Sequence, residues 1–395
     1  MANTGLVTNA RTVIDDEQLG KFIGGKTALV AQGGGQRGIF TAGVLDAFLL
    51  SNFDEFDEFY GTSAGALNLC AYLSRQAGLG KSFILDLTTD PKFFNLFHFI
   101  RRKRYLDLKW ALDSICDYPY KLDIDMGHRI LGHRRAFAAT TDTLTLKDHY
   151  LPMFQDDWYQ VLLATSAIPN LYEGTVMVNG AEYIDGGVSA SIPVQEAWRQ
   201  GSRTIVVIRT EETVTEEPLV MPDQPVVTES PTWFRESLNS LQLQWQEKVD
   251  QWSRDWNGFF NGQILKSQEA KHAQHLNLIN GGRWLFGAAD IYRLSHLFGE
   301  KFDSGLADML MVHYQTYSLT QQFLNNPPDD CFIVQIAPDG PLKTASLLSD
   351  VDDILHDYQL GLDAGLQFVE GYNLVNSLNR MNTTQQDWWL PQSPG

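Results

Sequence analysis

Ser63 lies between two glycines, in Gly61-Thr62-Ser63-Ala64-Gly65. Glycines at those positions remove Cβ atoms where a strand turns sharply into a helix, and such a turn leaves the serine hydroxyl exposed at its apex. Thr62, Ala64 and Ala66 are short, as the turn demands. A serine hydroxyl is a poor nucleophile near neutral pH and needs a base within hydrogen-bond reach. Asp185 can supply one, because Gly186 and Gly187 let the backbone approach its carboxylate closely. Acyl transfer also needs donors aimed at an oxyanion. Gly33, Gly34 and Gly35 can provide them, as unobstructed N–H groups opening a helix form an anion site. Gln36, Arg37 and Gly38 complete that stretch. Each motif is common alone, and the weight lies in all three together.

Other chemistries fit less well. Gly33-x-Gly35-x-x-Gly38 also matches a dinucleotide fingerprint, with Asp57 or Glu58 near the required acidic position. That second strand ends in the serine turn instead. A phosphate-binding P-loop fails because no Lys-Ser or Lys-Thr follows the glycines. Asp185-Gly186-Gly187 by itself is also an ordinary turn. Arg37, beside an anion loop, has two readings that stay open, a phosphate partner or a structural strut for the loop. His128 and His133 have no accompanying ligand set, and neither do His272 and His275, so all four read as surface or loop residues. No metal and no cofactor is expected.

The elements that must position these residues follow from patterning. Residues 27–31 form a short apolar run, read as a buried parallel strand. From Ile39 onward, apolar residues recur at helical spacing, so the glycines sit at a strand-to-helix junction. Tyr60 ends a second strand, although residues 54–59 are unusually acidic. A helix follows Ser63 to about Gln76. Residues 135–141 form a further strand, and a helix runs from Trp158 to Ser166. Asn179-Gly180 joins two β-rich runs as a tight hairpin whose second strand delivers Asp185. Residues 204–208 are a β-branched central strand. Strands alternating with helices mean an α/β fold with a mostly parallel sheet.

Four regions are expected: a polar arm at 1–25, a catalytic domain at 26–210, an acidic Pro-rich linker at 211–230, and a mainly helical region at 231–395. The last opens on Ser230-Pro231 as a helix start, continues as a Trp-rich amphipathic helix to about 262, and carries one late strand at 331–336. Residues 93–104 run dense aromatics into four cations. They read either as a core helix with a solvated basic end or as a peripheral membrane contact, aromatics inserting and cations meeting lipid phosphates.

The chain has 395 residues, 44% of them hydrophobic, and a formal net charge of −18. That charge argues against nucleic acid as a partner and against docking on anionic lipid through overall charge. Three cysteines, far apart, suit neither a disulfide framework nor a metal site and fit a reducing compartment. No signal peptide and no run of about 18 apolar residues is present, so a cytoplasmic protein, or one peripheral to the inner membrane face, is expected. Oligomeric state is not legible.

Gly-Gly-Gly-x-Arg-Gly, Gly-x-Ser-x-Gly and Asp-Gly-Gly, in this order, resemble the motifs of the patatin-like phospholipase family. The likeness covers roughly residues 26–210. It extends to Ala64-Gly65-Ala66-Leu67-Asn68, to Ala164-Thr165-Ser166-Ala167-Ile168-Pro169, to Ile192-Pro193-Val194, and to the run from Arg37 to Asp46 that marks a bacterial group. The resemblance implies a three-layer α/β/α sandwich and a Ser–Asp dyad. It further implies Ser63 as nucleophile, Asp185 as base, Gly33, Gly34 and Gly35 as oxyanion hole, and lipid acyl esters as substrates. The other class that stays open is a catalytically idle α/β module binding lipid or protein.

Overall fold

The computed structural model describes residues 4–7, 25–94, 106–169, 171–213 and 304–387. All of these belong to one compact unit. The Trp-rich helix expected to about 262, the linker from 214 onward, His272, His275 and residues 95–104 lie outside the described residues.

The sheet contains β1 (Thr4–Val7), β2 (Lys26–Ala31), β3 (Glu58–Thr62), β4 (Arg135–Asp142), β5 (Asp148–Pro152), β6 (Val176–Val178), β7 (Ala181–Asp185), β8 (Ser202–Ile208) and β9 (Phe332–Ile336). Its order is β1-β9-β8-β2-β3-β4-β7-β6, with β5 also on β4. From β1 to β4 all pairings are parallel. The arm expected over 1–25 thus contains a strand, which pairs with β9.

Alternation along the strands builds two cores. Leu29, Ala31, Phe59, Val206, Ile208, Phe332 and Val334 face one side. Ala28, Val30, Tyr60, Ile205, Val207 and Ile333 face the other. Strands buried on both faces need helices on both faces. The helices are α1 (Gly38–Leu50), α2 (Ala64–Leu73), α3 (Leu79–Ser82, continuing as a π-helix over Phe83–Leu87), α4 (Leu108–Ser114), α5 (Ile124–Leu131), α6 (Trp158–Thr165), α7 (Val194–Arg199), α8 (Ser304–Asn325) and α9 (Val351–Asp387). On the first face α1, α2 and α9 pack together, with Phe48 of α1 against Phe368 of α9 at 5.5 Å between ring centroids. On the second face, α7 and α8 contribute Val194, Ala197, Phe323 and Leu324. The architecture is the three-layer sandwich.

The acidic run before Ser63 has a structural use. Glu58 is buried and accepts from Lys26 Nζ (2.8 Å), Tyr60 Oη (2.9 Å) and the Arg135 guanidinium. Burial pushes its pKa up, but these three partners more than offset that, and the net shift is downward. Asp54 pairs with Arg134 and Arg75, and Asp57 accepts from the Thr27 N–H. These carboxylates tie down the end of the sheet opposite Ser63. Phe93 and Phe94, which open the aromatic stretch, are buried in the core. Among the described residues no helix is long and apolar enough to cross a membrane.

Candidate active site

β3 ends at Thr62, and Ser63 takes φ 51° and ψ −123° before α2 begins. A positive φ is rare and strained for a residue with a Cβ, and such strain marks functional turns. Gly65 makes the turn sterically feasible, since a Cβ there would lie 2.5 Å from the Ala31 carbonyl oxygen. The Ser63 N–H donates to Thr165 Oγ1 at 3.0 Å, and Thr165 in turn donates to the Ala139 carbonyl. Thr165, at the end of α6, therefore fixes the elbow from below.

Asp185 reaches the same spot by a different route. β4 has two edges. Along one, β5 faces residues 137–141; along the other, β3 faces 135–139 and β7 faces 140–142. β3 and β7 therefore meet end to end, with Thr62 opposite Ala139 and Asp185 opposite Thr140. β7, the second strand of the hairpin, runs antiparallel to β4 and carries Asp185 up to the serine elbow. Backbone and side-chain bonds hold it there. The Asp185 N–H donates to the Ala167 carbonyl (3.0 Å), and the Asp185 carbonyl accepts from Thr141 Oγ1 (2.9 Å).

The Asp185 carboxyl is fully buried. Oδ1 accepts from the Gly187 N–H at 2.6 Å. Oδ2 is buried and makes no bond of full hydrogen-bond geometry. The Ser63 hydroxyl is nonetheless close enough to pull the carboxyl pKa down. Burial is the larger effect, and it pushes the pKa up to about 7, against the opposing pull of Gly187 and Ser63.

The glycine loop lies across the elbow. Gly33 N–H donates to the Ser191 carbonyl (3.1 Å), so this donor is committed to structure. Among the described residues the Gly34 and Gly35 N–H groups have no such partner. Gly35 has φ +57°, and a Cβ there would lie 2.3 Å from the Ser346 carbonyl oxygen. Gln36 is buried, donating to Thr88 Oγ1 (3.0 Å) and accepting from the Ser349 N–H (2.9 Å). Arg37 pairs with Glu211 at 3.0 Å, which favours the strut reading of the two left open above. The Gly38 carbonyl accepts from Asn68 on α2 (2.8 Å). Gly61 pairs with Ala138 within β3–β4, and Gly186 and Gly187 open the short 3-10 turn after Asp185. Ala64, next to Ser63 in the chain, lines a small, mostly apolar cavity with Leu67, Ala71, Leu79, Phe83 and Ile84, among others.

All three motifs thus converge on one point. Residues 29–198 match the Patatin-like phospholipase family. Over 350 residues the chain is 33% identical to the uncharacterized protein YjjU of Escherichia coli (strain K12), covering 88% of this chain and 78% of that one. The chain belongs to the patatin-like phospholipase family. As a patatin-like protein it is a hydrolase of a family that acts on lipid acyl groups. Residues 303–375, holding α8, β9 and most of α9, match a domain of unknown function, DUF6363. The crystal structure of VipD from Legionella pneumophila aligns with TM-score 0.37 and 12% identity, over 88% of this chain and 67% of that one.

Several residues around the patatin-like site carry no signal in the motifs. Thr165 lies in the family-like stretch from Ala164 to Pro169, but nothing in its type assigns it to the serine. Thr141 and Thr210 donate from their side-chain hydroxyls to the Asp185 and Gly33 carbonyls, and Ser346 accepts from the Gln36 N–H with its own carbonyl; each contact has a backbone atom on one side, which any sequence would offer. His313, on α8, sits with Nδ1 2.7 Å from the Gly187 carbonyl oxygen, 126 positions away in sequence. His128 and His133 lie on α5 and in the turn after it. Among the described residues no group of His, Cys, Asp and Glu could hold a metal ion.

Proposed function

We propose that this protein is a serine acyl hydrolase that cleaves fatty-acyl esters of phospholipids or lysophospholipids through Ser63 and Asp185. The observation that carries the reading is a strained serine elbow abutting a buried carboxyl whose pKa is pushed up to about 7. A base near neutrality accepts a proton at working pH and returns it in the next step.

Ser63 Oγ attacks the ester carbonyl, and its proton passes to Asp185 Oδ2. The oxyanion is received by the Gly34 and Gly35 N–H groups, with the N-terminus of α2 adding its dipole. Collapse breaks the ester bond. The leaving alkoxide takes the proton from Asp185, and the acyl group stays on Ser63. Water then attacks the acyl-serine while Asp185 accepts its proton, and the second collapse releases the fatty acid and restores the Ser63 hydroxyl.

The test is hydrolysis of a p-nitrophenyl ester and of a mixed lipid extract, with products identified by mass spectrometry. Ser63→Ala and Asp185→Asn serve as controls. Free fatty acid should appear with the wild type and not with either variant. Near-wild-type turnover by purified, folded Ser63→Ala would sink Ser63 as nucleophile, and no fatty-acid release by the folded wild type would leave a binding module. Membrane contact through 93–104 is a separate proposal. Changing Arg101, Arg102, Lys103 and Arg104 to Gln should weaken binding to anionic liposomes and spare soluble-ester hydrolysis. Unchanged liposome binding would return the stretch to a packing role.

A further inference from the structure

Helix α8 packs against the loop that follows Asp185. This helix lies outside the patatin-like match and inside the DUF6363 match. It delivers a buried histidine, His313, onto the loop that follows Asp185. A carbonyl oxygen only accepts hydrogen bonds, so the 2.7 Å contact between His313 Nδ1 and the Gly187 carbonyl fixes the proton on Nδ1. The same Gly187 donates its N–H to Asp185 Oδ1 at 2.6 Å. One residue thus accepts from the imidazole with its carbonyl and donates to the carboxylate with its amide.

The ring is itself held. It stacks on Tyr317, one helical turn along α8, with centroids 5.7 Å apart and planes 24° from parallel. The Tyr317 hydroxyl bonds Glu211, and Glu211 holds Arg37 at the end of the glycine loop. Among the described residues, the charges of Glu211 and Arg37 act on the ring in opposite directions. Burial outweighs them and pushes the His313 pKa down to about 4, so the ring stays neutral near pH 7.

We propose that His313 is a positioning residue that orients the Asp185 carboxylate through Gly187. The proposal rests on Asp185 being the base. Through it, α8 fixes the base loop with His313 and the glycine loop with Tyr317. The DUF6363 region is then part of the working site and not an appendage.

Two measurements on the full chain test it. The first is the ¹⁵N NMR spectrum of His313, which should show a neutral ring protonated at Nδ1 between about pH 5 and 8. A ring protonated at Nε2 alone would overturn the proposal without any variant. The second compares variants by fluorophosphonate labelling of Ser63 against pH. His313→Phe keeps a ring against Tyr317 but has no donor. Labelling should fall about ten- to a hundredfold, and its acid limb should move up by about 0.5 to 1 pH unit, because a loosened Gly187 amide stabilises the carboxylate less. His313→Asn puts an N–H near the position of Nδ1 and should recover most of both effects. Wild-type rate and acid limb in folded His313→Phe would overturn the proposal while leaving Asp185 as base. So would a rate that merely tracks the folded fraction with an unmoved limb. If His313→Phe does not fold, the NMR tautomer decides alone. An Asp185→Asn enzyme as active as wild type would instead sink the base itself.

Discussion

Asp185 carries opposite consequences for activity and for stability. Its folded pKa of about 7 lies above the ordinary carboxyl value of 3.8, because burial disfavours the charge. As base it must be ionised, so kcat/KM should rise with pH through about 7 and level off above. A flat profile between about pH 5 and 8 would contradict the assignment. The sign for stability is reversed. The native state holds its proton more tightly than the unfolded chain, so stability falls as pH rises from the ordinary value toward about 7. Asp185→Asn removes that burden and keeps an oxygen for the Gly187 N–H. The variant should lose several orders of magnitude in turnover. It should also melt higher than wild type at about pH 8, by up to about 4 kcal/mol of stability, with little difference at about pH 4. Equal melting at both would show that the carboxyl is not strained by its site. Ser63 gives a parallel check. Both Ser63→Ala and Ser63→Gly should be inactive, but only glycine relieves the positive φ of 51°. The glycine variant should be the more stable of the two by roughly 1 kcal/mol, read by denaturant unfolding.

At the level of elements, β3 joins two ends with different tasks. Its C-terminal end makes the serine elbow, while its N-terminal end carries Glu58 with Lys26, Tyr60 and Arg135. Glu58→Gln leaves the two cations short of a countercharge and should destabilise the fold by about 1–3 kcal/mol. Because the Glu58 pKa is lowered on folding, its contribution is full above the ordinary carboxyl value and fades as pH falls through the folded one. The acid limb of activity should not move, since Glu58 and Ser63 sit at opposite ends of the strand; a shifted limb would mean the ends are coupled. The same strand shows what was legible in sequence. The turn after it follows from glycine spacing, although β3 runs on to Thr62, two residues past the end expected at Tyr60, and the Asn179-Gly180 hairpin follows from turn chemistry. The acidic run looked out of place because charge neutralisation comes from Lys26 and Arg135, on two other strands. The direction of β7 relative to β4 was not legible either, as antiparallel and parallel strands have similar patterns. Tyr317 and His313 escaped because their partners are joined to them only by the fold.

On the scale of the whole molecule, the C-terminal region completes the sheet and the site together. β9 covers β8, so without it Ile205 and Val207 would line an open edge. From α9 come Ile354, Ala364, Phe368 and Val369, all buried, and a hydrogen bond from Tyr358 to Asp46 on α1 at 2.8 Å. Fully burying one large apolar side chain contributes about 1.5–3 kcal/mol, and a domain's net stability is only about 5–15 kcal/mol. Losing several such side chains with β9 exceeds that margin. The glycine loop would suffer as well. The Gln36 N–H donates to the Ser346 carbonyl at 2.9 Å, and Gln36 Oε1 accepts from the Ser349 N–H at 2.9 Å. A fragment of residues 1–213, which contains all three motifs, should therefore show no cooperative thermal transition and no fluorophosphonate labelling of Ser63. The measurement is a calorimetric scan alongside the labelling assay, with the full chain as control. A fragment that melts cooperatively and labels at the full-chain rate would mean that 304–387 is an accessory to a self-sufficient domain. The expected result makes the patatin-like and DUF6363 regions one folding unit, because the strand that fills the sheet and the helix that holds the base loop both come from the second.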